Sequence, residues 1–92
     1  MTQDVDVVLQ ERGKRYGSFI GHAMVTQDLK KVVEQHLKER NKTLTYDQQE
    51  ALDMIFHKIG RIINGDADYF DSWLDISGYS KLVADRLLSI TK

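Results

Sequence analysis

The chain has 92 residues and a mass of 10.6 kDa, room for a single small all-helical domain, residues 1–92, with a modest core. It has no cysteine and no proline, which excludes a disulfide framework and a thiolate metal site and leaves no residue that breaks a helix outright. A net charge of −1 gives no general electrostatic grip on nucleic acid, and no apolar run approaches the ~20 residues of a membrane span.

Apolar residues recur at spacings of three and four along most of the chain, and little of it alternates with period two. A first short helix carries Val5, Val8 and Leu9, is capped by Asp4 or Asp6, frays near Gly13 and stops by Gly17. A second runs from about Ile20 to Arg40 with Val25, Leu29, Val32, Val33 and Leu37 on one face. His22 and His36 are expected on its surface. Thr45 and Gln48 have capping-box spacing and open a third helix with a broad apolar face of Leu52, Ile55, Phe56, Ile59, Ile62 and Ile63. Asn64-Gly65 ends it, with Gly65 suited to a left-handed cap. Asp66 or Asp68 caps a fourth helix whose apolar positions are Tyr69, Trp73, Ile76, Tyr79, Val83, Leu87 and Ile90, with Trp73 and Tyr79 expected in the core. The short loop between the last two helices makes them antiparallel. The expected fold is all-α: a compact bundle of about four helices with a helical hairpin formed by the last two.

Charge is unevenly spread. Up to Tyr46 there are eight Lys and Arg against six Asp and Glu; from Asp47 onward there are five against eight. Glu50, Asp53, His57, Arg61 and Asn64 share a stripe of the third helix opposite its apolar face. Such a stripe is either a solvated surface or a ligand face, with carboxylates for a cation and Lys58 and Arg61 for phosphate oxygens. Asp71 and Asp75 share a face of the fourth helix, and Asp75 sits at the edge of the apolar positions. It must find a partner there: Lys58 or Arg61 in an ion pair, or a hard cation such as Mg²⁺. Gly60 and Gly78 lie inside helices at a cost of about 1 kcal/mol each, which close helix approach or room for a ligand would offset. The segment Arg12, Gly13, Lys14, Arg15, Tyr16, Gly17 joins basic, glycine and aromatic residues, a candidate phosphate or partner surface that lacks P-loop spacing. No HExxH motif occurs, and no serine sits in a nucleophile-elbow context.

Two stretches stand together: Glu11-Arg12-Gly13-Lys14-Arg15-Tyr16-Gly17-Ser18-Phe19, and Glu50 through His57-Lys58-Ile59-Gly60-Arg61-Ile62 and Asn64-Gly65-Asp66 to Asp71-Ser72-Trp73-Leu74-Asp75-Ile76-Ser77-Gly78-Tyr79. Their combination resembles a small domain of unknown function encoded by tailed phages and prophages, which implies the cytoplasm of a bacterial host cell. The second stretch is also distantly similar to the all-α nucleotide pyrophosphohydrolases of the MazG and dimeric dUTPase kind. That resemblance implies a metal set of Glu50, Asp53, Asp71 and Asp75 holding Mg²⁺, with Lys58 and Arg61 on the nucleotide phosphates, in a homodimer. The preceding helix carries only Glu34 and Glu39, five apart, in place of the family's E-E-x-x-E run. The alternative expectation is a non-catalytic interaction module, such as a phage inhibitor of a host or defence protein, contacting its partner through Arg12, Lys14, Arg15 and Tyr16.

Overall fold

In the computed structural model, which describes residues 2–90, four helices follow one another: α1 (Thr2–Tyr16), α2 (Phe19–Glu39), α3 (Tyr46–Asn64) and α4 (Phe70–Ile90). They form the expected all-α bundle, with α3 at its centre. Helix α2 packs antiparallel on one side of it and α4 antiparallel on another. Helix α1 lies across the C-terminal end of α3. Among the described residues no helix is long and apolar enough to cross a membrane.

The helix boundaries follow local chemistry. Asp4 lies inside the first turn of α1 rather than capping it, and the helix continues through Gly13 to Tyr16. Gly17 then turns the chain at φ +76°, a conformation open to glycine and strained for other residues. Ser18 caps α2 by accepting from the Gly21 amide at 3.1 Å. At the start of α3 the Thr45 amide donates to Gln48 Oε1 at 3.0 Å, the glutamine half of the expected capping box. The Thr45 hydroxyl donates to Asp47 and accepts from Arg86. Gly65 does not adopt the left-handed cap: its φ is −133°. The reason for glycine is space, because a Cβ there would fall on the backbone of Arg15 and Tyr16. Neither Asp66 nor Asp68 caps α4. Asp66 instead closes the turn by accepting from the Asp68 amide at 2.9 Å.

Two ion pairs set the register of the α3–α4 hairpin. Arg86 grips Asp47 with two bonds of 2.7 Å at its open end, and Lys58 meets Asp75 at 2.9 Å nearer the turn. The Arg86 bonds, then the Thr45 hydroxyl, hold Asp47 down to a pKa of about 2. The Lys58 side chain is 11 % exposed, whereas that of Asp75 is 43 % exposed. The pair therefore bridges the interior and the solvent.

The core is small and partly polar. Its buried residues are Ala51, Phe56, His22, Thr26, Lys58 and Ser72. Ile76, Tyr79 and Val83 of α4 and Val25, Leu29, Val33 and Leu37 of α2 are half-buried against α3. Val32, Ile63, Trp73 and Leu87 face outward instead, and the Ile90 side chain lies outside the described residues. Trp73 lies at the surface, where its indole N–H donates to the Ala67 carbonyl at 2.8 Å.

Truncating Asp75→Ala leaves the Lys58 ammonium buried without its counter-ion. A loss of roughly 1–3 kcal/mol in urea unfolding is expected, discounted for the exposure of Asp75. The double variant Lys58→Met with Asp75→Ala should recover most of that loss.

Candidate functional site

Close packing of α2 on α3 creates the most unusual feature of the molecule. A Cβ on Gly60 would come within 2.9 Å of Thr26 Oγ1 and the His22 ring, so the glycine lets α2 approach. That approach buries His22 to 7 % exposure, against its expected surface position. His36, by contrast, is exposed and bonds to Arg40. His22 Nε2 lies 3.0 Å from His57 Nδ1, and the rings meet edge to face. His22 Nδ1 is buried without a hydrogen-bond partner.

Both imidazoles are held neutral. Burial lowers the His57 pKa to about 4, aided by the positive charges of Arg61, Lys58 and Lys30 and by His22 itself. His22 is lowered as well, by burial and then by Arg61, with the Gly60 backbone opposing. The pair sits in a positive field and carries no charge of its own at pH 7.

The pair forms one wall of a cleft of about 440 Å³ between α1, the α1–α2 turn and α3. Arg12, Gly13 and Tyr16 of α1 line it, with Leu9 and Phe19 at its apolar rim and Arg61 on the α3 side. Arg61 stacks on Tyr16 with its guanidinium carbon 4.1 Å from the ring centroid. Arg15 stacks on Tyr69 at 4.5 Å, and Tyr69 in turn meets Tyr16 edge to face. A smaller adjoining hollow is lined by Glu11, Arg12, Arg15, Tyr16 and Arg61. Stacked guanidinium groups keep their in-plane N–H edges available. Among the described residues none of Arg12, Arg15 and Arg61 is salt-bridged to a carboxylate.

The α1 end of the cleft is latched by Asn64. Its side-chain amide donates to the carbonyls of Tyr16 and Ser18, each at 2.8 Å. The Asp66 amide donates to the Arg15 carbonyl beside it. The stripe of Glu50, Asp53, His57, Arg61 and Asn64 is thus divided: its last three residues face α1 and α2, and its first two do not take part.

The structure brings Arg61 together with Arg12, Arg15 and Tyr16, two groups that were expected to serve different ligands. It separates Lys58 from them, since its ammonium is turned to α4. Lys14 is exposed and lines neither hollow. The four carboxylates of the expected metal set are spread along the hairpin. In its antiparallel register Asp75 lies level with Lys58, eight residues from Glu50, about 12 Å along the helix. Asp75 bonds to Lys58, Asp71 accepts from the Tyr69 hydroxyl at 2.9 Å, and Asp53 accepts from Gln49 at 3.1 Å. Among the described residues no group of three or more histidine and acidic side chains could hold a metal ion. Comparison with family models, curated proteins and solved structures finds no match to this chain.

The depressed pKa of His57 makes stability pH-dependent. The unfolded chain protonates this group near 6.5 and the folded chain only near 4. The stabilisation is therefore complete above pH 6.5 and is lost as the pH falls towards 4. It should amount to roughly 2 kcal/mol after solvent screening. Urea titrations at pH 7 and pH 4.5 should show this loss, and His57→Gln should flatten the dependence. Asn64→Ala should release the end of α1, with a destabilisation of about 1–2 kcal/mol and faster amide exchange at Gly17 and Ser18.

Proposed function

We propose that this protein binds a phosphate-bearing ligand, with a nucleotide as the leading class, in the cleft between α1 and α3. The observation that supports this is the convergence of unpaired Arg12 and Arg61 on a cleft whose two histidines are neutral. Phosphate oxygens would take the guanidinium edges, and the apolar rim of Leu9 and Phe19 would accommodate a base or other flat group. His57 would respond to the anion: a nearby negative charge favours the imidazolium. Mg²⁺ would enter with the ligand's own phosphate oxygens, as that ion commonly does. Turnover of the ligand, the pyrophosphohydrolase form of the proposal, is a separate outcome of the same experiment.

Isothermal titration with inorganic pyrophosphate and a panel of nucleoside triphosphates, with and without Mg²⁺, tests the reading. Arg61→Ala and Arg12→Ala should each weaken binding by roughly 10- to 100-fold, the worth of a charge-assisted bond. Lys14→Ala should leave it unchanged. Near pH 5 binding should take up protons, visible as a dependence of the measured heat on buffer ionisation. Wild-type affinity in Arg61→Ala would sink the assignment.

A second reading rests on α1. Val5, Val7, Val8 and Leu9 are each at least 50 % exposed, next to Arg12 and Arg15 on the same helix. That combination suits docking to an acidic protein surface, as an inhibitor of a host or defence protein in a phage setting would require. Charge reversal at Arg12 and Arg15 would abolish such docking, whereas the loss of Arg61 alone would not.

A further inference from the structure

The surroundings of the histidine pair assign a proton to each ring. A Cβ on Gly60 would come 2.8 Å from His22 Nδ1, so that nitrogen is the one turned to the α3 backbone, and the Gly60 backbone favours a proton on His22. A proton on Nδ1 leaves the lone pair of a neutral His22 on Nε2. His57 Nδ1 lies 3.0 Å from that nitrogen and must then donate the bond between the rings. A neutral imidazole has one N–H, so the lone pair of His57 is on its Nε2.

Among the described residues His57 Nε2 makes no hydrogen bond. It is also not enclosed, since the buried side-chain nitrogen without a partner is His22 Nδ1. The bare nitrogen of His57 therefore reaches solvent, and His57 is part of the cleft wall. His36 is arranged the opposite way. Its side chain is 54 % exposed, but its Nδ1 accepts from the Arg40 guanidinium at 2.7 Å. The proton of neutral His36 is thus on Nε2, and its one lone pair is already taken. Exposure favours His36 as a nucleophile, whereas tautomer favours His57.

Arg12 and Arg61 border the same cleft, and among the described residues neither is salt-bridged. A bare imidazole nitrogen beside free guanidinium groups combines a nucleophile with donors for the charge on a transferring phosphoryl group. The geometry points to His57 Nε2 as a phosphoryl-acceptor site that takes the terminal phosphoryl group of a nucleoside triphosphate. This rests on the phosphate reading of the cleft. In the step, the Nε2 lone pair forms the N–P bond while the bond from that phosphorus to the bridging oxygen breaks. The electron pair of the broken bond leaves on the nucleoside diphosphate. No proton has to leave Nε2, so no base is required. The ring becomes a cation with its proton still on Nδ1, where His22 Nε2 accepts it. His22 is thus a positioning residue that fixes the tautomer of the nucleophile. Because the transition state of phosphoryl transfer is loose, a weakly basic nitrogen suffices.

The test incubates the full chain with Mg²⁺ and ribonucleoside and deoxyribonucleoside triphosphates labelled in the terminal phosphate. The reaction is quenched in alkali and the label located by peptide mass spectrometry among the chain's three histidines. His57 should carry an acid-labile, alkali-stable phosphoryl group on Nε2, roughly tenfold or more above His36. That comparison is made within the wild-type chain, so it does not depend on a variant folding. His57→Gln should remove the label. Nitrogen-15 NMR at pH 7 should show His57 protonated on Nδ1 and His36 on Nε2, and His22→Phe should lose the His57 tautomer and the label together. Labelling of His36 equal to that of His57, consumption of the triphosphate without label on His57, or a His57 proton on Nε2 would overturn the inference. Pyrophosphate bound by the wild type with no label on His57 overturns it while keeping the binding reading; absence of both overturns both.

Discussion

The close approach of α2 to α3 at Gly60 is the constraint on which the rest depends. A single absent Cβ lets the two backbones come near enough to bury His22 and Thr26. The buried ring then reaches His57, and the burial of both rings keeps them neutral beside Arg61. The same approach carries the α1–α2 turn to the end of α3, where Asn64 and Gly65 receive it. Helix α1 is placed almost entirely by that end: from Asp4 to Arg15 its side chains are exposed. The cleft is thus a consequence of the helix packing behind its own His22 wall.

The interior trades apolar area for polar pairing. No large side chain is fully buried, and four of the buried residues are polar or charged. Burying Lys58 against Asp75 adds little net stability over an apolar pair, but a mismatch there is costly. Together with Arg86 and Asp47 it admits one register of the α3–α4 hairpin. Selection of that register is what these pairs contribute, because sliding α4 by one turn would strand a buried ammonium.

The fold was legible where a physical signal is local. Four helices, their approximate limits, the Gln48 half of the capping box and the antiparallel hairpin all follow from periodicity and cap residues. The Lys58–Asp75 pair was legible as one of two partners for a carboxylate at an apolar border. The placement of His22 was not, because its burial depends on Gly60, 38 residues away, and helical periodicity puts His22 one turn from Val25 and Thr26 without saying what faces them. Trp73 read as core from its spacing, yet it sits at the surface with its indole N–H on the Ala67 carbonyl, because spacing alone does not say how far a helix's apolar stripe is covered. Gly65 signalled a helix end correctly for a different reason, the room it leaves for the Arg15 and Tyr16 backbone. Asn64 carried a signal that helical spacing cannot interpret: a polar residue at a helix end serves as a latch only when another segment presents carbonyls to it.

The cleft and the Lys58–Asp75 pair lie on different sides of α3. The face of α3 that bears His57, Arg61 and Asn64 is turned to α1 and α2, while Lys58 is turned to α4. The two are nonetheless coupled by charge: Asp75 holds Lys58, and the charge of Lys58 contributes to the field that keeps His57 neutral. Removing the Asp75 carboxylate would leave that charge less compensated, so the pair that sets the hairpin register also tempers the field in the cleft.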